Sequence, residues 1–207
     1  DNIAIGFSAL SQSIHSDGDN NVAIGSNTMQ EMTAGAWGMV GVGVGALQKV
    51  NHADSVGSTA VGYFALNANV SGIGNVAVGF EALKVEDDGD QNTAIGYQTL
   101  KAQTGVSGTV GNTVVGYKAL VQVITGVKNT AIGAEAMASA DGAEEQNVAI
   151  GYKAMFNNNN GLSNTCIGSG TLLSAAAGQG QIAIGRDVAC IANETATIGF
   201  GSNVASL

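Results

Sequence analysis

The sequence predicts an all-β protein, a parallel β-solenoid (β-roll) of about twelve rungs of roughly 17–20 residues each. Three observations lead to this prediction. A glycine-centred motif recurs along the whole chain, small and β-branched residues precede each of these glycines, and the composition does not suit a globular core. The 207 residues include 31 Gly and no Pro, and only 5% are aromatic. Large side chains are therefore too few to fill a wide interior, whereas a thin stacked coil needs few of them.

The repeat is anchored on a single glycine. The spacing of successive copies is most often 17, is longest from Gly96 to Gly116 and is shortest from Gly185 to Gly199. No long segment lies outside the copies, so we treat residues 1–207 as one repetitive domain. The twelve motif glycines are Gly6, Gly25, Gly43, Gly62, Gly79, Gly96, Gly116, Gly133, Gly151, Gly168, Gly185 and Gly199.

The residues before each glycine predict a short strand. Ile or Val precedes the glycine in all twelve copies, and a β-branched residue lies three positions before it in eleven. The glycine should end the strand, because a sharp corner needs a residue that tolerates positive φ. A period near 17 suits one solenoid rung with two short strands and two turns. A single helical turn after the glycine is the alternative, but a glycine in every rung opposes a longer helix.

Two further positions are regular. The fourth residue after the glycine is Leu or Met in the first ten copies, and the segments beyond it vary in length as surface loops do. Asn begins eight copies, where we expect it to adopt the left-handed backbone conformation and to bond its own backbone. These residues are Asn2, Asn21, Asn75, Asn92, Asn112, Asn129, Asn147 and Asn164.

Both faces of the predicted strand are apolar. A strand with one solvent-exposed face should alternate apolar and polar residues, and the motif strand does not show this alternation. We expect one face to fill the solenoid and the alanine-lined face to pack on an identical chain, with three chains around an axis as a homotrimer. A monomer with its alanines in water is the alternative. Since neither end has an evident polar cap, we also expect a fragment of a longer fibre.

Charge and composition exclude several classes of partner. The net charge of −9 disfavours nucleic acid and anionic membrane surfaces, and no apolar run is long enough to insert in a membrane. Cys166 and Cys190 are predicted to be small buried residues, not part of a disulfide framework. No motif predicts a cofactor, a metal ion or a catalytic group.

Aromatic residues follow many of the motif glycines directly. Stacked rungs would align them as a ladder along one edge, either stabilising the rod or presenting a platform for the sugar rings of a host glycan. The residues of this possible ladder are Phe7, Tyr63, Phe80, Tyr97, Tyr117, Tyr152 and Phe200.

The other polar candidates have weaker support. Acidic loops contain Asp17, Asp19, Asp87, Asp88 and Asp90, but the full calcium-loop pattern is missing, so we expect solvated loops. A pair of these carboxylates could serve a glycan-cleaving enzyme, although no apolar pocket is evident to raise one pKa.

Three further residues lie outside the motif. His15 and His52 belong to polar variable stretches and are predicted to be surface residues. Trp37 would be a receptor contact if exposed, or would fold over the rod.

The motif resembles a known repeat. Residues 92–100, Asn-Thr-Ala-Ile-Gly-Tyr-Gln-Thr-Leu, and 147–155, Asn-Val-Ala-Ile-Gly-Tyr-Lys-Ala-Met, are similar to the Ala-Ile-Gly repeats of trimeric autotransporter adhesin (YadA-like) heads and of bacteriophage tail fibres. The resemblance implies a left-handed, trimeric, extracellular attachment protein that is not an enzyme. It implies a host glycan or protein receptor as partner.

The rung length separates the two families. The adhesin heads commonly have shorter rungs, with a spacing that only the last pair of copies, Gly185 and Gly199, matches here. The longer rungs therefore favour a phage tail fibre, with the adhesin head and a polysaccharide-degrading tailspike as alternatives.

Overall fold

The computed structural model describes residues 1–12, 18–32, 35–50, 55–104, 107–173, 177–190, 192–201 and 203–206. In these ranges the regular structure is entirely β, as predicted. His15, Asp17 and His52 lie outside the described residues. The strands are β1 (Ile3–Ile5), β2 (Val22–Ile24), β3 (Val40–Val42), β4 (Thr59–Val61), β5 (Val76–Val78), β6 (Gly89–Asp90), β7 (Thr93–Ile95), β8 (Gly108–Thr109), β9 (Thr113–Val115), β10 (Thr130–Ile132), β11 (Val148–Ile150), β12 (Thr165–Ile167), β13 (Ile182–Arg186), β14 (Ala196–Phe200) and β15 (Asn203–Ser206).

Twelve of these strands are the motif strands, and they form one parallel sheet in chain order from β1 to β14, without β6 and β8. Each strand pairs with the next copy in identical motif register, as in Ile5 with Ile24 and Ile150 with Ile167. Each motif position therefore becomes a column along the rod, which confirms the parallel β-solenoid. At about 4.8 Å per strand, the sheet is roughly 53 Å long from its first motif strand to its last.

The motif glycines stack in one of these columns and form the corner. Eleven of them, all except Gly199, have φ between +127° and +140°. A Cβ added to Gly6 would lie 2.6 Å from the carbonyl carbon of Gly25, so the backbones of neighbouring rungs leave no room for a side chain. The predicted corner is confirmed, although β13 and β14 continue through Gly185 and Gly199 instead of ending before them.

The second side of the rung is not the second short strand that was predicted. It alternates between ordinary and left-handed backbone, with φ near +50° at the second and fourth residues after the glycine, as at Gln98 and Leu100. The amide of Leu100 donates to the Ala119 carbonyl of the next rung at 3.1 Å. Left-handed backbone costs a non-glycine residue about 1–2 kcal/mol. Burial of a leucine side chain, worth about 1.5–3 kcal/mol, offsets that cost.

The third side carries short pairings only. β6 pairs with β8, and isolated bridges join residues such as Trp37 with Val56 and Leu162 with Gln179. In the sequence, the segments of variable length lie between the motif Leu or Met of one copy and the strand of the next. Their length can change without disturbing the main sheet.

The interior is a thin stack of small and medium side chains. Alanines at the middle of the motif strands, such as Ala94 and Ala149, are fully buried, and so are most of the motif Leu and Met residues. Cys166 occupies the same strand position as the alanines, and burial raises the pKa of its thiol to about 12. Cys190 is also buried and free, as predicted.

The motif asparagines differ from their predicted role. None of the copies from Asn21 to Asn164 has a positive φ, which belongs instead to the preceding residue, as at Gln91 and Lys128. Their side chains are buried and bond the next rung, so that Asn112 Oδ1 accepts from the Asn129 amide at 2.8 Å. The motif asparagine is an interior rung-to-rung connector because a buried carbonyl and amide both need partners.

The last strand of the sheet has a partner that the motif did not predict. β15 pairs antiparallel with β14, joining Ile198 with Ala205 and Phe200 with Asn203. The backbone edge of the final motif strand is therefore hydrogen-bonded along this pairing, which is one way in which proteins cover a sheet edge.

Candidate interaction face

The outward face of the motif sheet is apolar over its whole length. Within each strand the middle residue points into the rod, so its two neighbours point outward. The residue before the glycine is exposed by 36% at Ile150, 39% at Ile95 and 59% at Ile5. The residue two positions earlier is partly or fully exposed in every strand, and it is Thr, Val, Ile or Ala. We call these two columns the outer face.

This geometry corrects the assignment of the two strand faces. The alanine-lined side was expected to contact a partner chain, but Ala23, Ala94 and Ala131 are completely buried inside their own solenoid. The exposed side carries the larger residues. A signal for this assignment was present in the sequence, because a thin interior accepts only small residues at the strand centre while Ile or Val is retained outside.

Charge is absent from the outer face. The two columns contain only Ile, Val, Thr and one Ala, although the chain as a whole has a net charge of −9. The nearest charged column lies around the glycine corner, where residues such as Glu135 and Lys153 pair at 3.4 Å. An uncharged apolar strip on a charged protein is the pattern of a protein–protein contact surface.

The size of the strip also suits such a contact. The sheet is about 53 Å long, and the outer face together with the two columns that border it, the motif glycine and the residue after it, extends about 16 Å at 3.3 Å per residue. The product is roughly 850 Å², close to the 800 Å² or so that each partner contributes to a standard stable interface.

The predicted aromatic residues border this strip, and four of them stack. The centroid of Phe80 lies 5.3 Å from that of Tyr63 and 5.1 Å from that of Tyr97, which is 5.5 Å from that of Tyr117. The ring planes are within 15° of parallel. The faces of the two inner rings are occupied by their neighbours, whereas a sugar ring needs a free aromatic face. The arrangement therefore favours rung-to-rung stabilisation over a glycan platform.

The other three aromatic residues lack a stacking partner of this kind. Phe7, Tyr152 and Phe200 are 53–79% exposed, and the same motif position in the adjacent rungs is occupied by non-aromatic residues such as Ser26 and Ala134. The guanidinium carbon of Arg186 lies 4.1 Å from the ring centroid of Phe200, a cation–π contact. A continuous ladder needs aromatic residues in consecutive rungs, which only the middle of the chain provides.

The acidic loop of residues 86–90 connects rungs to one another. Asp88 Oδ1 accepts from the Ser71 hydroxyl at 2.5 Å, Asp90 Oδ1 accepts from the Ile73 amide at 2.8 Å, and Asp87 Oδ1 accepts from the Thr104 hydroxyl at 3.2 Å. Each carboxylate therefore bonds an adjacent rung. This arrangement favours a structural role over an acid–base pair. Asp19, the remaining described member, is exposed.

Outside the apolar strip, one carboxylate has strong cationic partners. Glu81 is within 2.7 Å of the ammonium groups of both Lys101 and Lys84, and Gln98 Nε2 donates to it at 2.9 Å. These contacts, that with Lys101 first, lower the pKa of Glu81 to about 2. The cluster joins two rungs on the side opposite the motif strand.

The remaining candidates are also placed. Trp37 is 51% exposed on the third side of the rung and is available for contact. Among the described residues no group of three His, Cys, Asp or Glu side chains is arranged to hold a metal ion. No helix in those ranges is long and apolar enough to cross a membrane.

Comparison with known proteins adds no relative. No family model, curated protein sequence or solved structure matches this chain.

Proposed function

We propose that this chain is a segment of an extracellular attachment fibre that works by its geometry and assembles through the outer face as a homotrimer. The observation that carries the proposal is the uncharged outer face, about 53 Å long at the strand spacing of a β-sheet. Each motif strand contributes two apolar or hydroxyl-bearing side chains to it. Water contact along such a strip is unfavourable, and a second copy of the same strip is complementary to it in shape and polarity.

Three copies suit this surface because it is narrow and straight. Closed rotational symmetry gives every chain the same environment. Three parallel strips can meet along one axis, so that no chain keeps an outer face exposed for a further copy. Stacking identical rungs also makes the rod as long as its number of repeats requires. These properties, together with the similarity of the Ala-Ile-Gly motif to those of phage tail fibres, support a fibre that holds a host-binding surface away from its base.

The exposed residues away from the outer face would then decorate the fibre. Trp37, which is exposed on the third side, is a residue that a host glycan or protein would contact. An adhesin head would also assemble as a trimer, and it remains the alternative. The longer rungs that dominate here favour the phage fibre.

Solution mass tests the proposal directly. One chain has a mass of 20.5 kDa, so sedimentation equilibrium should give about 61.5 kDa, three times that value, for the trimer. A mass of twice the single chain would replace the trimer by a dimer. The mass of a single chain at micromolar concentration would reject self-association.

A matched pair of variants tests whether the outer face is the contact. Ile95→Asp places a charge at the centre of the face, on a side chain that is 39% exposed and not needed inside the rod. We expect this variant to dissociate. Gln122→Asp adds the same charge at an exposed site in the turn region, and it should keep the mass of the unmodified protein. If both variants associate as the parent does, the contact lies elsewhere.

A further inference from the structure

The interior of the rod contains one stretch of buried polar side chains in consecutive rungs. Seven residues after the motif glycine, the eight rungs from Gly25 to Gly151 carry Met32, Val50, Asn69, Glu86, Gln103, Val123, Ala140 and Asn158, all of which are buried. Asn69, Glu86 and Gln103 follow one another without interruption. We call these three residues the polar column. All three are completely buried, and Glu86 is the only ionisable residue among the eight.

The hydrogen bonds of the polar column leave a deficit of donors. Glu86 Oε1 accepts from the Gly89 amide at 2.8 Å, but Glu86 Oε2 has no partner. Asn69 donates its amide group to the Gly72 carbonyl at 3.1 Å, which leaves its own Oδ1 without a donor. Two buried oxygens in adjacent rungs therefore lack a hydrogen, a costly arrangement in an interior of low dielectric.

Gln103 supplies no hydrogen to this gap. Its Nε2 donates to the Ile124 carbonyl at 3.2 Å, and its Oε1 accepts from Asn112 Nδ2 at 3.1 Å. Both ends of the Gln103 amide are thus engaged with atoms further along the rod. A neutral Glu86 supplies a hydrogen of its own, the proton of its carboxylic acid.

Charges around Glu86 also favour the neutral form. Its own rung carries Asp87, Asp88 and Asp90, all negative, and the preceding rung, residues 62–78, has no charged residue. The nearby cations are Lys84 on the same rung and Lys101 on the next, and both bind Glu81 on the outside at 2.7 Å. Within the described part of the chain, no cation is therefore paired with Glu86. Burial is the largest influence, and it raises the pKa of Glu86 to about 7.

We propose that the polar column is a pH-sensitive joint in the rod, in which a proton on Glu86 completes the interior hydrogen bonding of these three rungs. When that proton leaves, a charged carboxylate remains in the interior with backbone amides nearby but no cation paired with it among the described residues, and the rungs separate more easily. The joint is a property of the single chain and does not depend on the proposed fibre function or on trimer formation.

The direction of the effect follows from linkage. A carboxyl group with a higher pKa in the folded state binds more protons when folded, so stability falls as pH rises from about 4.5 to about 7 and then levels off. From pH 5 to pH 8 the unfolding equilibrium constant should rise roughly 70-fold through this one group.

The test compares two glutamates that are both buried in the rod. Glu86→Gln keeps the acceptor, supplies a permanent donor and cannot ionise, so its unfolding equilibrium should lose that rise between pH 5 and pH 8. Glu144→Gln is the control. Glu144 is completely buried and its Oε2 likewise has no partner, but its Oε1 accepts from two amides, those of Gly142 and Asn160, at 2.9 and 3.2 Å. If Glu144→Gln abolishes the pH dependence as well, the effect is not specific to Glu86.

An infrared measurement on the unmodified protein keeps the proposal testable if a variant fails to fold. The carbonyl stretch of a protonated carboxylic acid should be present at pH 6 in the folded protein and should disappear by pH 8. Stability of the parent that is flat between pH 5 and pH 8, or an unchanged pH dependence in Glu86→Gln, would overturn the proposal.

Discussion

Substitution of a motif glycine should show how closely the rungs approach one another. We choose Gly133→Ala, because φ at Gly133 is +132° and an added Cβ would lie 2.5 Å from the Gly151 carbonyl oxygen and 2.7 Å from its carbonyl carbon. Two costs add. A non-glycine residue in this backbone region costs about 1–3 kcal/mol. Forcing the rungs apart costs about 1–3 kcal/mol more, as overpacking does in a close-packed core.

The expected loss is therefore roughly 2–6 kcal/mol of unfolding free energy, from the two costs together. Equilibrium urea unfolding followed by far-ultraviolet circular dichroism measures it. Gly57→Ala is the matched control, because Gly57 also has a positive φ, +66°, but an added Cβ would meet nothing within 4 Å. Equivalent positions hold Gln91 and Lys128 at φ of +59° and +57°, so the control should lose about 1 kcal/mol. If the two variants lose the same amount, contact between the rungs is not what requires glycine at the corner.

Two further predictions concern hydrogen bonds inside the rod and the ion pairs outside it. Asn129→Ala should cost roughly 1–3 kcal/mol in the same assay, because it leaves the buried Asn147 amide unpaired and removes one of the two donors to the Glu144 carbonyl. The exposed Gln122→Ala should change stability by less than about 0.5 kcal/mol. Equal losses in Asn129→Ala and Gln122→Ala would contradict the role of the buried asparagines in connecting the rungs. Glu81 has its pKa lowered to about 2, so its contribution is complete above about pH 4.5 and is lost as pH falls towards 2. Glu81→Gln should remove part of the loss of stability that the protein shows in unfolding measurements as pH falls. If this loss at low pH is unchanged, the ion pairs of Glu81 with Lys84 and Lys101 do not have this role.

The two pH effects lie on opposite sides of the stability maximum. Glu81 destabilises the rod when it gains a proton at low pH, whereas Glu86 destabilises it when it loses one towards neutrality. The unmodified protein should therefore be most stable near pH 4.5, where the first effect is complete and the second begins. This ordering follows from position, since one carboxylate faces two ammonium groups on the outside and the other is buried with an oxygen that has no partner.

The repeat made the architecture predictable. A glycine that recurs at a spacing near 17, preceded by Ile or Val in every copy, predicts a stacked rung because identical segments can only pair in register with themselves. The column of glycines follows from the same repetition. The aromatic stack at Tyr63, Phe80, Tyr97 and Tyr117 could also be located, since the sequence shows which copies are consecutive.

Side-chain direction was not predictable from the motif alone. Thr marks the outer side in only five of the twelve motif strands, and the small size of the middle residue is a second signal, but neither decides between the two assignments before the rungs are stacked. The left-handed backbone at Leu100 and its equivalents contradicts local propensity, and it exists because the leucine side chain is buried when the turn closes on the next rung. The burial of the motif asparagines depends equally on the neighbouring rung, as the bond from the Asn129 amide to Asn112 shows.

The sequence by itself thus determined the class of fold, the number of rungs and the positions of the corners, because these depend on a periodicity that any window of the chain displays. The tertiary structure alone decided which face of the strand is exposed, that the asparagines connect rungs, and that Asn69 and Glu86, in consecutive rungs, each bury an oxygen without a partner. These properties arise only when one rung closes over the next. Burial and hydrogen-bond partners are defined by that closure and not by the order of residues within a single repeat.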